Sequence, residues 1–107
     1  MVIKSNSVKE EVLPNGAIRK IKGYIDDLMI AELKLKKGMV GDIHTHIHSQ
    51  CAYVLSGSFE CEIDGKKEII SVGDCFYVTP NVPHGLLALE DDSTILDIFT
   101  PKRDDFL

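Results

Sequence analysis

The sequence predicts an all-β domain, an antiparallel sandwich or small barrel. Three observations carry this reading. Prolines, glycines and Asn/Asp turn signals cut the chain into pieces too short for most helices, apolar residues alternate with period two, and no segment keeps a helical period. Leu28 to Lys36 puts Met29, Ala31, Leu33 and Leu35 on one face and Glu32, Lys34 and Lys36 on the other, the pattern of a half-buried strand. Cys51–Leu55 and Phe59–Ile63 flank Ser56-Gly57-Ser58, which reads as a tight hairpin. Asp64-Gly65, the favoured type I′ pair, joins the second of these runs to Lys67–Val72. With Cys75–Val78 and Thr94–Phe99 the chain holds about eight to ten short strands.

A length of 107 residues without linker, low-complexity stretch or internal repeat reads as one domain over 1–107. Twelve Lys+Arg against seventeen Asp+Glu give a net charge of -5, which argues against a nucleic-acid partner. No apolar run approaches the roughly 20 residues of a membrane span. Met1 to Glu10 lacks the apolar centre of a signal peptide, so a cytoplasmic location without membrane contact is expected. Cys51, Cys61 and Cys75 form no C-x-x-C pair, and their odd number fits reduced thiols. Each sits in an apolar run, so all three are expected to be buried and inert.

Chemistry concentrates in the histidines. Three of the four fall within His44-Thr45-His46-Ile47-His48. On a strand, His44 and His46 project to one side, as two cis imidazole ligands must. Gln50 follows, and His84 lies far along the chain in a proline-flanked turn, Pro80 to His84. His48 reads equally as a surface or a core residue. Three neutral imidazoles and one amide oxygen suit a borderline divalent cation: zinc, iron, manganese, cobalt or nickel. An amide in place of a carboxylate leaves such a site its full positive charge, which favours polarising oxygens over activating dioxygen.

The tail carries a second constellation. Ile95, Asp97 and Phe99 share one strand face, while Leu96 and Ile98 share the other, so Asp97 is drawn into an interior or pocket. A buried carboxylate needs a partner or a task, and hydrogen bonds to nearby amides would serve as well as catalysis. Arg103 is the natural cation nearby, able to hold a carboxylate in two bonds. Pairing with Asp104 or Asp105 on an exposed tail is its alternative, worth little. An ending of Phe106-Leu107 can dock its apolar end and fix Arg103 at a barrel mouth.

Gly38-x5-His44-x-His46-x3-Gln50-x6-Gly57 resembles the first motif of the cupins, with Gln50 where Glu is usual. Gly73-Asp74, Pro80 and His84 resemble the second, with Thr79 and Asn81 for the usual Pro and Gly, and Ala88 for a frequent Asn. The resemblance covers about residues 28–100 and implies an RmlC-like antiparallel β-barrel or jelly roll. Val54 to Gly57, Pro83 to Gly85 and the ending DIFTPKRDDFL are further similar to the KdgF-type cupins of pectin and alginate breakdown, from about Gly16 onward. That likeness implies an enzyme opening 4,5-unsaturated uronate monosaccharides into linear keto-deoxy sugars. Carried over by position, His44, His46, Gln50 and His84 would hold one divalent metal. Asp97 would be the acid/base, and Arg103 with Phe99 would meet the sugar-acid substrate. A homodimer is the family expectation. A metal-dependent dioxygenase of quercetin or thiol type, and a non-catalytic sugar-binding or sensing cupin, are the competing readings.

Overall fold

A computed structural model describes residues 1–107. It holds ten strands: β1 (Glu11–Val12), β2 (Ile18–Ile25), β3 (Leu28–Leu35), β4 (Val40–His44), β5 (Ser49–Ser56), β6 (Ser58–Ile63), β7 (Lys66–Ser71), β8 (Cys75–Val78), β9 (His84–Ala88) and β10 (Ser93–Thr100). The only helical pieces are single 3-10 turns at Ser5–Ser7 and Asp104–Phe106, and no helix is long and apolar enough to cross a membrane. All strand pairs are antiparallel. Six strands form one sheet in the order β1-β2-β3-β10-β5-β8, and four form a second, β4-β9-β6-β7.

Alternation decides what lies between the sheets. On β3, Met29, Ala31 and Leu35 are buried, while on β5 the inward residues are Gln50, Ala52 and Val54. Phe59 and Cys61 of β6, Phe76 and Val78 of β8, and Ile95 of β10 close the main core with Leu35, Ala52, Val54, Ile70 and Ala88. A smaller cluster of Met29, Ala31 and Phe99 packs against Ile21 and Phe106 at the other end. The polar cluster described below sits among these inward positions.

Asp64 and Gly65 take the left-handed φ values, 50° and 80°, that a two-residue type I′ turn requires, and β6 and β7 pair directly across them. Ser56-Gly57-Ser58, by contrast, is no hairpin. β5 pairs with β10 and β8 in one sheet, whereas β6 pairs with β7 and β9 in the other, so this turn carries the chain between layers. The reason is packing: Val54 and Phe59 on either side are both fully buried, and facing sheets bury them where a hairpin would expose one face. The turn is locked by Ser93, whose Oγ accepts from the Ser58 N–H at 3.2 Å and donates to Glu90 O at 2.8 Å. The cysteines also divide. Cys61 is buried, Cys51 half-buried and Cys75 exposed, because Cys75 falls on the outward register of edge strand β8.

Gly57 has φ +70°, and a β-carbon there would stand 2.7 Å from the Ser93 Cα. Backbone cannot retreat as a side-chain end can, so Gly57→Ala combines left-handed strain with overlap. The expected loss is about 2–4 kcal/mol, read as a fall of roughly 10–25 °C in Tm by thermal denaturation.

Candidate metal centre

Both sheets contribute to one cluster. His44 ends β4 and stands opposite His84, the first residue of β9, in the four-stranded sheet. Gln50 of β5 is in register with Phe99 of β10 in the six-stranded sheet. His46 is not on a strand: β4 stops at His44, and His46 lies in the loop to β5, still pointing to the side His44 faces. That loop is tied across the site by the Asn81 N–H, which donates to His46 O at 2.7 Å. The β4–β9 register breaks between Gly41 and His44, and Gly85 permits the break. A β-carbon on Gly85 would meet the Gly41 carbonyl oxygen at 2.7 Å, so the strands approach too closely for any side chain.

The imidazoles share one orientation. The Nδ1–H of His44 donates to Asp42 O at 2.9 Å, that of His46 to His48 O at 3.0 Å, and that of His84 to Val82 O at 2.8 Å. A carbonyl can only accept, so each Nδ1 carries the proton and each Nε2 presents a lone pair. The ligand atoms of the three rings lie within 4.8 Å of one another. His46 Nε2 stands 3.1 Å from His84 Nε2, and Gln50 Oε1 stands 2.9 and 3.0 Å from those two nitrogens. Gln50 is oriented too, because its Nε2 donates to Asp97 Oδ1 at 2.8 Å, leaving the carbonyl end toward the rings.

Acceptors therefore face acceptors with no proton among them, an arrangement that a cation at their common focus stabilises. The spacing fits one: ligands at right angles on a metal with bonds of about 2.1 Å lie about 3.0 Å apart. Burial, the largest influence, pushes the His46 pKa below its ordinary value and that of His84 down to about 4. Both rings are thus neutral near pH 7, as ligands must be. The three-histidine cluster fits a metal site.

A cavity of ≈ 160 Å³ opens beside the cluster, bordered by His44, Gln50, His84, Asp97, Arg103 and Arg19. It is smaller than the roughly 300–1,000 Å³ of sites for drug-sized molecules, which suits a small ligand. Asp97 borders it on β10, half-buried, and burial raises its pKa to about 6 against the opposing pull of the Gln50 amide and the Arg103 charge. Arg103 is 7% exposed and not a solvated tail residue. Its Nε and Nη2 donate to Asp105 Oδ1 and Oδ2 at 2.9 and 2.7 Å, and the guanidinium lies 4.2 Å from the Phe106 ring centroid and 5.0 Å from that of Phe99. The pairing with Asp105 and the place at the cavity hold together. Phe106 docks edge-on to Phe99 at 5.7 Å, while Leu107 stays exposed.

Phe99 borders the cavity but is only 2% exposed, so it backs His46 and Arg103 more than it offers open surface. His46 lies behind the cavity wall rather than on it. His48 is buried against Phe99, its carbonyl serving His46, and its own Nδ1 has no partner. Sequence reasoning missed Arg19 of β2. Its signal was available in alternation, since Arg19 shares a strand face with Ile21, which packs on the smaller core.

Comparison with known proteins agrees with this architecture. A family model described as "Cupin domain" matches residues 31–99. The chain is 46% identical over 98 residues to the pectin degradation protein KdgF of Dickeya dadantii (strain 3937), covering 91% of this chain and 89% of that one. Among solved structures, KdgF from Halomonas sp. superposes with a TM-score of 0.95 at 38% identity over 100% of both chains. An RmlC-like cupin from Shewanella frigidimarina NCIMB 400 does so at 0.92 and 33% identity, covering 97% of this chain and 93% of that one. The chain belongs to the cupin family, and within it to the KdgF-type proteins.

If the cluster holds a cation, the purified protein carries about one divalent ion per chain by elemental analysis after dialysis against buffer. His84→Ala, which removes one converging nitrogen and leaves an open space, is expected to lose most of it, with affinity down about 100-fold or more.

Proposed function

We propose that this protein is a metal-dependent enzyme that opens 4,5-unsaturated uronate monosaccharides into linear keto-deoxy uronates. His44, His46, Gln50 and His84 hold one divalent ion (zinc, nickel, iron, manganese or cobalt), Asp97 is the acid/base, and Arg103, backed by Phe99, orients the sugar acid. One observation carries this reading: a carboxyl of raised pKa is hydrogen-bonded to the amide that also faces the histidine nitrogens. Kinship with a protein named for pectin degradation supports the substrate class.

The chemistry asks for charge control and one mobile proton. A divalent ion held at the cluster supplies Lewis acidity, drawing electron density from a sugar oxygen. Gln50, being neutral, adds no negative charge to oppose it. Opening the ring breaks the bond from the anomeric carbon to the ring oxygen, leaving an aldehyde and an enol. Moving a proton onto the adjacent alkene carbon turns the enol into the ketone, with no other reactant consumed. Asp97 is suited to that transfer, since a carboxyl of pKa about 6 is mostly ionised near pH 7 yet readily protonated. Arg103 has its Nε–Nη2 edge on Asp105, which fixes the guanidinium and leaves Nη1 for the substrate carboxylate.

The test uses metal-loaded protein and the 4,5-unsaturated uronate, followed by loss of the double-bond absorbance. Acceleration over the spontaneous rate is expected. Asp97→Asn can still accept from Gln50 and is expected to keep its metal while kcat falls about 10²–10⁴-fold. Normal turnover by that variant would make Asp97 structural. No acceleration by the loaded protein would reject the reaction, and oxygen consumption with substrate would point instead to an oxygenase.

A further inference from the structure

Arg19 is the one cavity-lining cation that the proposed reaction leaves without a role. It enters from β2, on the wall toward which the chain's end folds, and its side chain is 16% exposed. Its Nε and Nη2 both lie 3.1 Å from Glu11 Oε1 on the neighbouring edge strand β1, and Glu11 itself is half exposed. The guanidinium sits 3.9 Å from the centroid of the Phe106 ring, the same ring that carries Arg103 at 4.2 Å. The two arginines are therefore built alike. Each has its Nε–Nη2 edge on a carboxylate and its plane on Phe106, and each keeps its Nη1 uncommitted. Neither Nη1 is walled off, because the only buried side-chain polar atom without a partner is His48 Nδ1.

Two guanidiniums on one aromatic ring repel each other, and a low-dielectric cavity strengthens that repulsion. Glu11 and Asp105 offset it from outside. From the cavity side, an anion is the complement. Both cations sit on a single ring beside a cavity of ≈ 160 Å³, so one monosaccharide can span them.

Resting on the uronate reading above, we propose that Arg19 is a second anion contact, which with Arg103 selects a sugar bearing a free carboxylate over its neutral counterpart. Glu11 offsets the Arg19 charge from the far edge of the guanidinium and takes no part in the anion contact. A purely structural strap from β1 through Arg19 to Phe106 is the alternative, and the two differ in what each variant does.

The experiment is calorimetric binding by the metal-loaded protein of D-galacturonate, a uronate without the reactive double bond, and of neutral D-galactose. The wild type is expected to prefer the acid. Arg19→Gln is expected to weaken galacturonate binding about 10- to 100-fold and leave galactose unchanged, the size of a lost charge-assisted contact. Arg19→Lys should recover part of the loss, and it serves as the test if the glutamine variant does not fold. Glu11→Gln should keep galacturonate binding within about twofold, since it frees the guanidinium rather than removing it. Equal losses for acid and neutral sugar, a loss in Glu11→Gln matching that in Arg19→Gln, unchanged binding in Arg19→Gln, or no acid preference in the wild type would each overturn the proposal. Turnover of the unsaturated uronate by the wild type judges the reaction separately, because these binding measurements need no turnover.

Discussion

The side-chain amide of Gln50 is the constraint on which the site depends. Its two ends are chemically opposite, and Asp97 decides which way they point. The carboxylate can only accept from the NH2 end, which leaves the carbonyl oxygen among the imidazole nitrogens. A glutamate here would set two carboxyl groups at the 2.8 Å separation now spanned by a hydrogen bond. One of the pair would then have to hold a proton, and its charge would be lost to the cluster. The amide thus does two tasks at once: it sets its oxygen beside two imidazole nitrogens and holds the cavity's only carboxylate in place.

That constraint is met only because two sheets face each other. His44 and His84 come from the four-stranded sheet, Gln50 and Asp97 from the six-stranded one. Each backbone detail at the meeting point serves the approach: the broken β4–β9 register, the bare α-carbon of Gly85 against Gly41, and the Asn81 bond to the His46 carbonyl. Three carbonyl acceptors, each two residues from its own histidine, then turn every Nε2 toward the same point. The end of the chain adds the second wall, with Phe106 as a shared platform for two cations in a protein whose net charge is -5. Each of the two is paired from outside the cavity, Arg19 by Glu11 and Arg103 by Asp105.

The strands were legible in the sequence because they rest on short-range rules, and the histidines that converge were legible from their likeness to the cupin motifs. Alternation at Leu28–Leu35 and Thr94–Phe99 acts within one strand, and the Asp-Gly turn joins two neighbours in the chain. What could not be read depends on the layer into which an element goes. Ser56-Gly57-Ser58 has the composition of a hairpin, and only the packing of Val54 and Phe59 between sheets makes it a crossover. Cys75 has apolar neighbours but falls on the outward register of an edge strand. Arg19 belongs to no motif, and its meeting with Phe106 links residues from opposite ends of the chain. The likeness to the cupin motifs pointed to His44, His46, Gln50 and His84, but not to the bond from Gln50 to Asp97 across two strands.

Strand order has a consequence for how the site comes into being. β10, which carries Asp97 and Phe99, lies between β3 and β5 in the six-stranded sheet, yet β3 ends at Leu35 and β10 begins only at Ser93. Nearly the whole chain must be laid down before that central strand can insert. Closing such distant pairs costs entropy before their contacts repay it, and β topologies of this kind fold in milliseconds to seconds rather than microseconds. Until β10 is in place, the six-stranded sheet stands as two separate halves with open inner edges, and Gln50 has no carboxylate to orient it. The chemistry of the cluster is a late product of folding, present only in the completed barrel.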